Sequence, residues 1–325
     1  MSKPIDVLLL LALPASGKSE ARAYLASLSP EECREQFGIG HTVQLDDFPY
    51  VHLMRRISDE LVQRGQPGAY FVSEALPFRE ARDWGTLIEL MNEDYDDMVN
   101  LRKPSPASAA EWIFDRFDAC RKKVGADPVL GKLPADIRKE VAAAMEPECA
   151  DLLQKKIDEI PDSLAGKTVV LEFARGGADG SSLPLPAPYG YQYSLSRLAP
   201  AILKKANILY IWLTPEESRR KNEHRADPND PGSILHHGVP LAVMYADYGC
   251  DDMKYLLDQS DKPDTVCVEK DGRKYYLPLG RFDNRVDLTT FIRESDPADW
   301  PAEDVAALQK GMQAAFTELR SGQTG

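Results

Sequence analysis

Five short apolar runs punctuate the chain, most of them followed by residues at helical spacing. Ile5 to Leu11 is continuously branched or leucine-rich, as a strand buried on both faces of a parallel sheet requires. His41 to Leu45 is weaker and lands on Asp46 and Asp47. Thr168 to Phe173, Ile208 to Leu213 and a run through Tyr275 to Phe282 complete the set. Such strands joined by helices predict an α/β fold with a doubly wound, mostly parallel, five-stranded sheet. Its ligands would sit at the carboxyl ends of the strands.

The runs are unevenly spaced. Between Pro49 and Ala165 no central strand is predicted, only helical patterns at Trp84 to Val99, Ala107 to Val124 and Ala135 to Ile160, with prolines between them. The expected organisation is a core of residues 1–48 and 166–293, a helical insertion or substrate lid over 49–165, and a C-terminal helical segment over 294–325. Trp300 to Arg320 has amphipathic spacing, and Ser321 to Gly325 is expected to fray. Ser194 to Lys205 reads as the helix leading into the fourth strand.

Composition narrows the function. Fifty-two acidic against 39 basic residues leave a formal charge of -13, which repels polyanions and disfavours duplex nucleic acid as a partner. The five cysteines are scattered, with none at CxxC spacing, so neither a disulfide framework nor a zinc site is expected. No run is long enough to span a bilayer, and Val7 to Leu13 is too short for a secretion signal, so a cytoplasmic location is expected.

The strongest chemical signal is Ala12-Leu-Pro-Ala-Ser-Gly17-Lys18-Ser19, set between the first strand and a helix starting near Ser19. A phosphate chain needs converging backbone N–H donors and a helix N-terminus, which a tight loop opening a helix supplies. Pro14, Ala15, Ser16, Gly17, Lys18, Ser19 and Glu20 are therefore the candidate nucleotide-binding residues. Lys18 would reach the β- and γ-phosphates of ATP, and the Ser19 hydroxyl would ligate Mg²⁺. Ala12 stands where the motif has its first glycine; this is tolerable if its φ is negative and strained otherwise.

On these residues the chain resembles the P-loop kinases of small molecules and nucleotides, a group that includes shikimate, gluconate, nucleoside and polynucleotide kinases and zeta-type toxins. The resemblance implies a P-loop NTPase sheet and phosphoryl transfer from ATP. It implies that the second strand's end supplies a carboxylate beside the γ-phosphate. Asp46 is the favoured base and a metal-ligand candidate, and Asp47 is a substrate or metal neighbour. The alternative is that both are N-cap and first-turn acids of a helix. Glu172, closing the third strand, would hold the Mg²⁺ water shell. Arg175, before Gly176 and Gly177, could bind a substrate anion or be an exposed arginine of a glycine-rich turn.

After the fourth strand, Thr214 to Arg225 carries Arg219, Arg220, Lys221 and Arg225, with Lys221 and Arg225 on one helical face. In the resembling kinases arginines at this place close over the transferring phosphoryl group, which makes Arg219 and Arg225 catalytic candidates. A solvated basic helix paired by Glu216, Glu217 and Glu223 is the alternative. Asn284, with Arg285, follows the fifth strand where those kinases read the adenine ring. His236-His237 is discounted as a metal site, and Tyr189, Tyr191 and Tyr193 are expected to pack as a β-like loop.

The expected activity is that of an ATP-dependent phosphotransferase acting on a hydroxyl or phosphate of a small molecule. A P-loop regulator or scaffold with little catalysis is the rival. A third reading is a zeta-toxin-like or polynucleotide-type kinase, the latter opposed by the acidic charge.

Overall fold

The computed structural model describes residues 4–225 and 238–324. Strand β1 (Val7–Leu11) is buried throughout, with Val7, Leu9 and Leu11 in one core and Leu8 and Leu10 in another. That double burial is why the run is continuously apolar rather than alternating. Around it lie β2 (His41–Asp46), β3 (Lys167–Phe173), β4 (Ala206–Trp212), β5 (Thr265–Lys270) and β6 (Arg273–Asp283).

The strands form one sheet of six in the order β2-β3-β1-β4-β6-β5, parallel except for β5, which runs antiparallel to β6. The apolar runs account for five strands; the sixth is β5. Asp271 and Gly272, at φ 51° and 71°, turn it into β6, both in the left-handed region as a tight hairpin turn requires. In β5 the buried Val266 and Val268 alternate with Cys267 and Glu269, an edge-strand pattern that no continuous apolar run marks.

Helices cover both faces. On one, α1 (Lys18–Ser27) and α2 (Pro30–Phe37) share a core with the C-terminal helix through Tyr24, Phe37, Met312 and Phe316. The insertion contributes α3 (Phe48–Gln63), α4 (Asp83–Val99), α5 (Ala109–Lys123) and α6 (Ala135–Glu159). Helix α4 is buried on two sides. Ile88, Met91 and Tyr95 pack beneath the sheet, while Trp84, Leu87 and Leu90 pack into the insertion's own core with Leu13. The insertion is thereby bonded into the sheet's hydrophobic layer as well as lying beside the strand ends.

Where one helix is expected over Ser194 to Lys205, there are two: α7 (Gly190–Arg197) and α8 (Pro200–Leu203). The break falls at Leu198 and Ala199, because the residue before a proline avoids the helical region. The tyrosines are not in a β-like loop. Tyr191 and Tyr193 lie within α7, whose first amides at Tyr191 and Gln192 are accepted by the Asp252 carboxylate at 2.6 and 2.9 Å.

The remaining helices are α9 (Pro215–Arg225), α10 (Leu241–Asp247), α11 (Met253–Gln259), α12 (Phe291–Glu294) and α13 (Ala302–Thr324). The last is helical through Thr324, past the point where fraying is expected. No helix among the described residues is long and apolar enough to cross a membrane.

Candidate functional site

Parallel pairing brings the carboxyl ends of β1, β2, β3, β4 and β6 to one edge. There Asp46 is in register with Glu172, Leu11 with Phe173 and with Tyr210, and Trp212 with Asp283. The residues following these ends converge on the loop between β1 and α1.

In that loop Ala12 has no left-handed backbone and is fully buried, so the absent glycine costs nothing at this position. The left-handed residues are Ala15, at φ 53°, and Gly17, at φ 99°. A Cβ on Gly17 would lie 2.5 Å from Thr289 Oγ1 and 2.7 Å from Asn284 Nδ2, so only glycine fits. Lys18 is buried, and its Nζ donates to the carbonyls of Leu13 at 3.2 Å and Ala12 at 3.4 Å. The Ser16 Oγ is buried without a hydrogen-bond partner, and Ser16, Lys18 and Ser19 line the cleft in front of the loop.

Two side chains absent from the motif brace the loop. The Ser218 hydroxyl, from α9, donates to Pro14 O at 2.7 Å. The Asn284 amide donates to Ser16 O at 2.7 Å and to Thr289 Oγ1 at 2.9 Å, while its oxygen accepts from Leu288 N. Asn284, expected beside a base, is fully buried and committed to the loop's backbone.

The acids sit at the loop's flank. Arg22, on the second turn of α1, ion-pairs Glu172 at 2.7 Å and Asp46 at 3.5 Å. The other Asp46 oxygen accepts from Phe48 N at 2.9 Å. Burial, followed by the charges of Glu172 and Asp47, pushes the Asp46 carboxyl up to about 7, with Arg22 opposing. Asp47 is buried and ion-paired with Arg175 at 2.6 Å; burial raises its carboxyl too, against the pull of Arg175.

Arg175 is 2% exposed. It stacks on Trp84 at 4.9 Å and donates to Ser194 Oγ, Ala174 O and Trp84 O. The expectation of an exposed arginine in a turn, or of a free anion-binding arm, gives way to a buried pillar between Asp47 and the insertion. The two glycines after it serve close approach. A Cβ on Gly176 would lie 2.4 Å from Cys250 O and 2.8 Å from Asp247 O. They allow the end of α10 to seat beside β3.

The cleft encloses about 970 Å³ of empty space, including its open mouth. Its near side is the loop with Asp46, Asp47 and Glu172; its far side is apolar, formed by Val51, Phe71, Phe78, Trp84, Val243 and Tyr248. The rings are mutually fixed, with Phe71 stacked on Phe78 at 4.4 Å and Phe78 edge-on to Trp84 at 4.9 Å. Within that wall lie Arg55, whose guanidinium covers Phe71 at 4.0 Å and donates to Glu74 O, and Asp247. The Asp247 Oδ2 is buried without a hydrogen-bond partner. None of Val51, Arg55, Phe71, Phe78 and Asp247 is singled out by sequence motifs; the aromatic spacing alone is that of ordinary core.

The remaining candidates lie off the cleft. Arg219 stacks on Tyr245 at 4.6 Å and pairs with Glu216 at 3.5 Å; it is not among the described residues lining the cleft. Arg220 pairs with Glu217, and Lys221 with Asp287 at 2.8 Å. Glu20 faces away, 3.2 Å from Arg293, and Arg285 stacks on Trp212. The Arg225 side chain, His236 and His237 lie outside the described residues. Among the described residues no three His, Cys, Asp or Glu side chains group as a metal site. No family model, no curated protein and no solved structure matches the chain.

Proposed function

We propose that the chain is an ATP-dependent phosphotransferase acting on a small molecule held in the cleft beside the Ala12–Ser19 loop. The carrying observation is that a braced strand–loop–helix junction, with Lys18 and the unpartnered Ser16 hydroxyl, opens onto the same cleft as Asp46. The parallel strand order, with this loop after the central β1, is consistent with a P-loop sheet.

The residues present fit a nucleotide. Loop amides, the α1 N-terminus and Lys18 countercharge its phosphates. Ser19, with Asp46 and Glu172 through intervening water, suits Mg²⁺, which keeps much of its hydration when protein-bound. Bound there, Mg²⁺ would neutralise charge on the phosphates. Asp46 orients the acceptor hydroxyl and takes its proton as that oxygen bonds the γ-phosphorus. The bond from phosphorus to the bridging oxygen breaks, and ADP leaves.

Lys18→Ala tests the assignment: ATP turnover should vanish with the fold unchanged by circular dichroism, and retained turnover would overturn it. A second reading, a nucleotide-binding regulator with little catalysis, is favoured by one observation. Arg22 occupies the position between Asp46 and Glu172 and engages both. Asp46→Asn separates the two: the kinase loses product while still binding ATP, whereas the regulator has no product to lose.

A further inference from the structure

The cleft contains a charge pattern that discriminates among acceptors. Four carboxylates line it, Asp46, Asp47 and Glu172 on the loop side and Asp247 in the far wall, against two cations, Lys18 by the loop and Arg55 in the wall. Lys18 belongs to the phosphate loop. Arg55 is already engaged with the Phe71 face and Glu74 O, and acts on Asp247 through space. Arg175, the other arginine near the strand ends, is paired with Asp47 and buried. Acids outnumber cations along the described cleft lining, so a phosphate or carboxylate on the acceptor would be opposed by Asp247 in the wall and by Asp46 and Glu172 beside the loop.

Asp247 supplies the positive recognition. It is 4% exposed and keeps Oδ2 without a hydrogen-bond partner; it lines the cleft together with Val243, Tyr248, Phe78 and Trp84, with Arg55 acting on its charge. A buried carboxylate oxygen left unmatched is an expensive group, and a ligand bringing an N–H or O–H to it recovers that energy. Burial also pushes the Asp247 carboxyl up to about 7, with Arg55 opposing, so it can accept from a cation when ionised and meet a neutral hydroxyl when protonated. The rings around it offer faces for a planar or alicyclic body.

Building on the phosphotransferase reading, we infer that the acceptor is a ring-bearing alcohol, neutral or cationic, which donates an amino or hydroxyl hydrogen to Asp247 and presents its hydroxyl toward Asp46. Phosphate-bearing acceptors, including nucleotide sugars and polynucleotide ends, are disfavoured by the same charges.

Three probes sharing a phenyl ring test this by calorimetry on the full chain saturated with ADP, so that the phosphate loop is filled: phenylalaninol (a cationic amino alcohol), 3-phenylpropan-1-ol (neutral) and phenyl phosphate (anionic). The expected order of affinity is phenylalaninol, then phenylpropanol, with phenyl phosphate weakest. Asp247→Asn should lower phenylalaninol affinity by about tenfold or more, bringing it level with phenylpropanol. Phenyl phosphate binding tightest, no probe binding at millimolar concentration, or an undiminished preference for the amine in Asp247→Asn would each overturn the inference. The order in the parent chain decides the matter even if the variant folds poorly. Failure of ADP to bind the parent chain would instead count against the nucleotide reading and leave the probe order intact.

Discussion

The Ser218 hydroxyl reaches across from the first turn of α9 to donate to Pro14 O at 2.7 Å, joining residues 204 positions apart. Both residues are buried, so removing the donor strands a carbonyl that water does not reach. Ser218→Ala should therefore cost about 1–3 kcal/mol in thermal or denaturant unfolding. ATP affinity should fall with it, because the amides flanking Pro14 lose their brace. Unchanged melting and binding would show that the loop holds its shape without Ser218.

Gly17 and Gly166 make a matched pair for separating backbone strain from crowding. Both have positive φ, 99° and 72°, but a Cβ on Gly166 would meet nothing within 4 Å, whereas on Gly17 it would collide with Thr289 and Asn284. Gly166→Ala should cost about 1 kcal/mol, the left-handed penalty alone. Gly17→Ala should cost clearly more and abolish ADP binding. Equal melting temperatures for the two would refute the close packing around Gly17.

Breaking the buried Asp47–Arg175 pair should be more damaging than removing it. Arg175→Met leaves an uncompensated carboxylate and should destabilise by about 3–5 kcal/mol. Adding Asp47→Asn to Arg175→Met should recover part of that loss. A double-mutant cycle by urea denaturation reads the coupling, and strict additivity would contradict the ion pair.

Asp247 gives a pH signature. Its folded carboxyl titrates near 7 because of burial, with Arg55 pulling the other way, against an ordinary value of 3.8 when unfolded. Between those values the folded chain binds more protons than the unfolded one, so this group's contribution to stability declines as pH rises from about 4 to 7 and then levels off. Asp247→Asn should be as stable as the parent near pH 4 and more stable above pH 7, by an amount on the order of a few kcal/mol. Parallel stability profiles for parent and variant would show that Asp247 is not so perturbed.

The parts of this fold readable in advance are those where one residue type must recur for a local reason. β1, β3 and β4 are buried on both faces and so announce themselves as apolar runs, and the loop's Gly17-Lys18-Ser19 stands out because a left-handed residue must precede the helix. β5 was hidden by its alternation, although Asp271-Gly272 is a hairpin signal of its own. Arg22 could not be picked out, because its partners Glu172 and Asp46 become neighbours only through the parallel register of β2 and β3. Arg175 was visible as a residue but not in its direction, which Trp84, Asp47 and Ser194 decide from three separate segments. The aromatic wall of the cleft is the least legible portion. Phe71, Phe78, Trp84 and Asp247 have the spacing of common core residues until α10 is seated against β3 by Gly176.

Leu13, the second residue of the Ala12–Ser19 loop, is 1% exposed and shares a core with Tyr50, Met54 and Leu87 of the helical insertion. The Ala12–Ser19 loop and the segment that shapes the cleft are thus two surfaces of a single hydrophobic body. An insertion of this kind cannot be exchanged like a cassette to give the cleft a new lining. Any transplanted segment must carry its own socket for Leu13, so new specificity has to be carved residue by residue into the exposed wall while the side facing the loop is left alone.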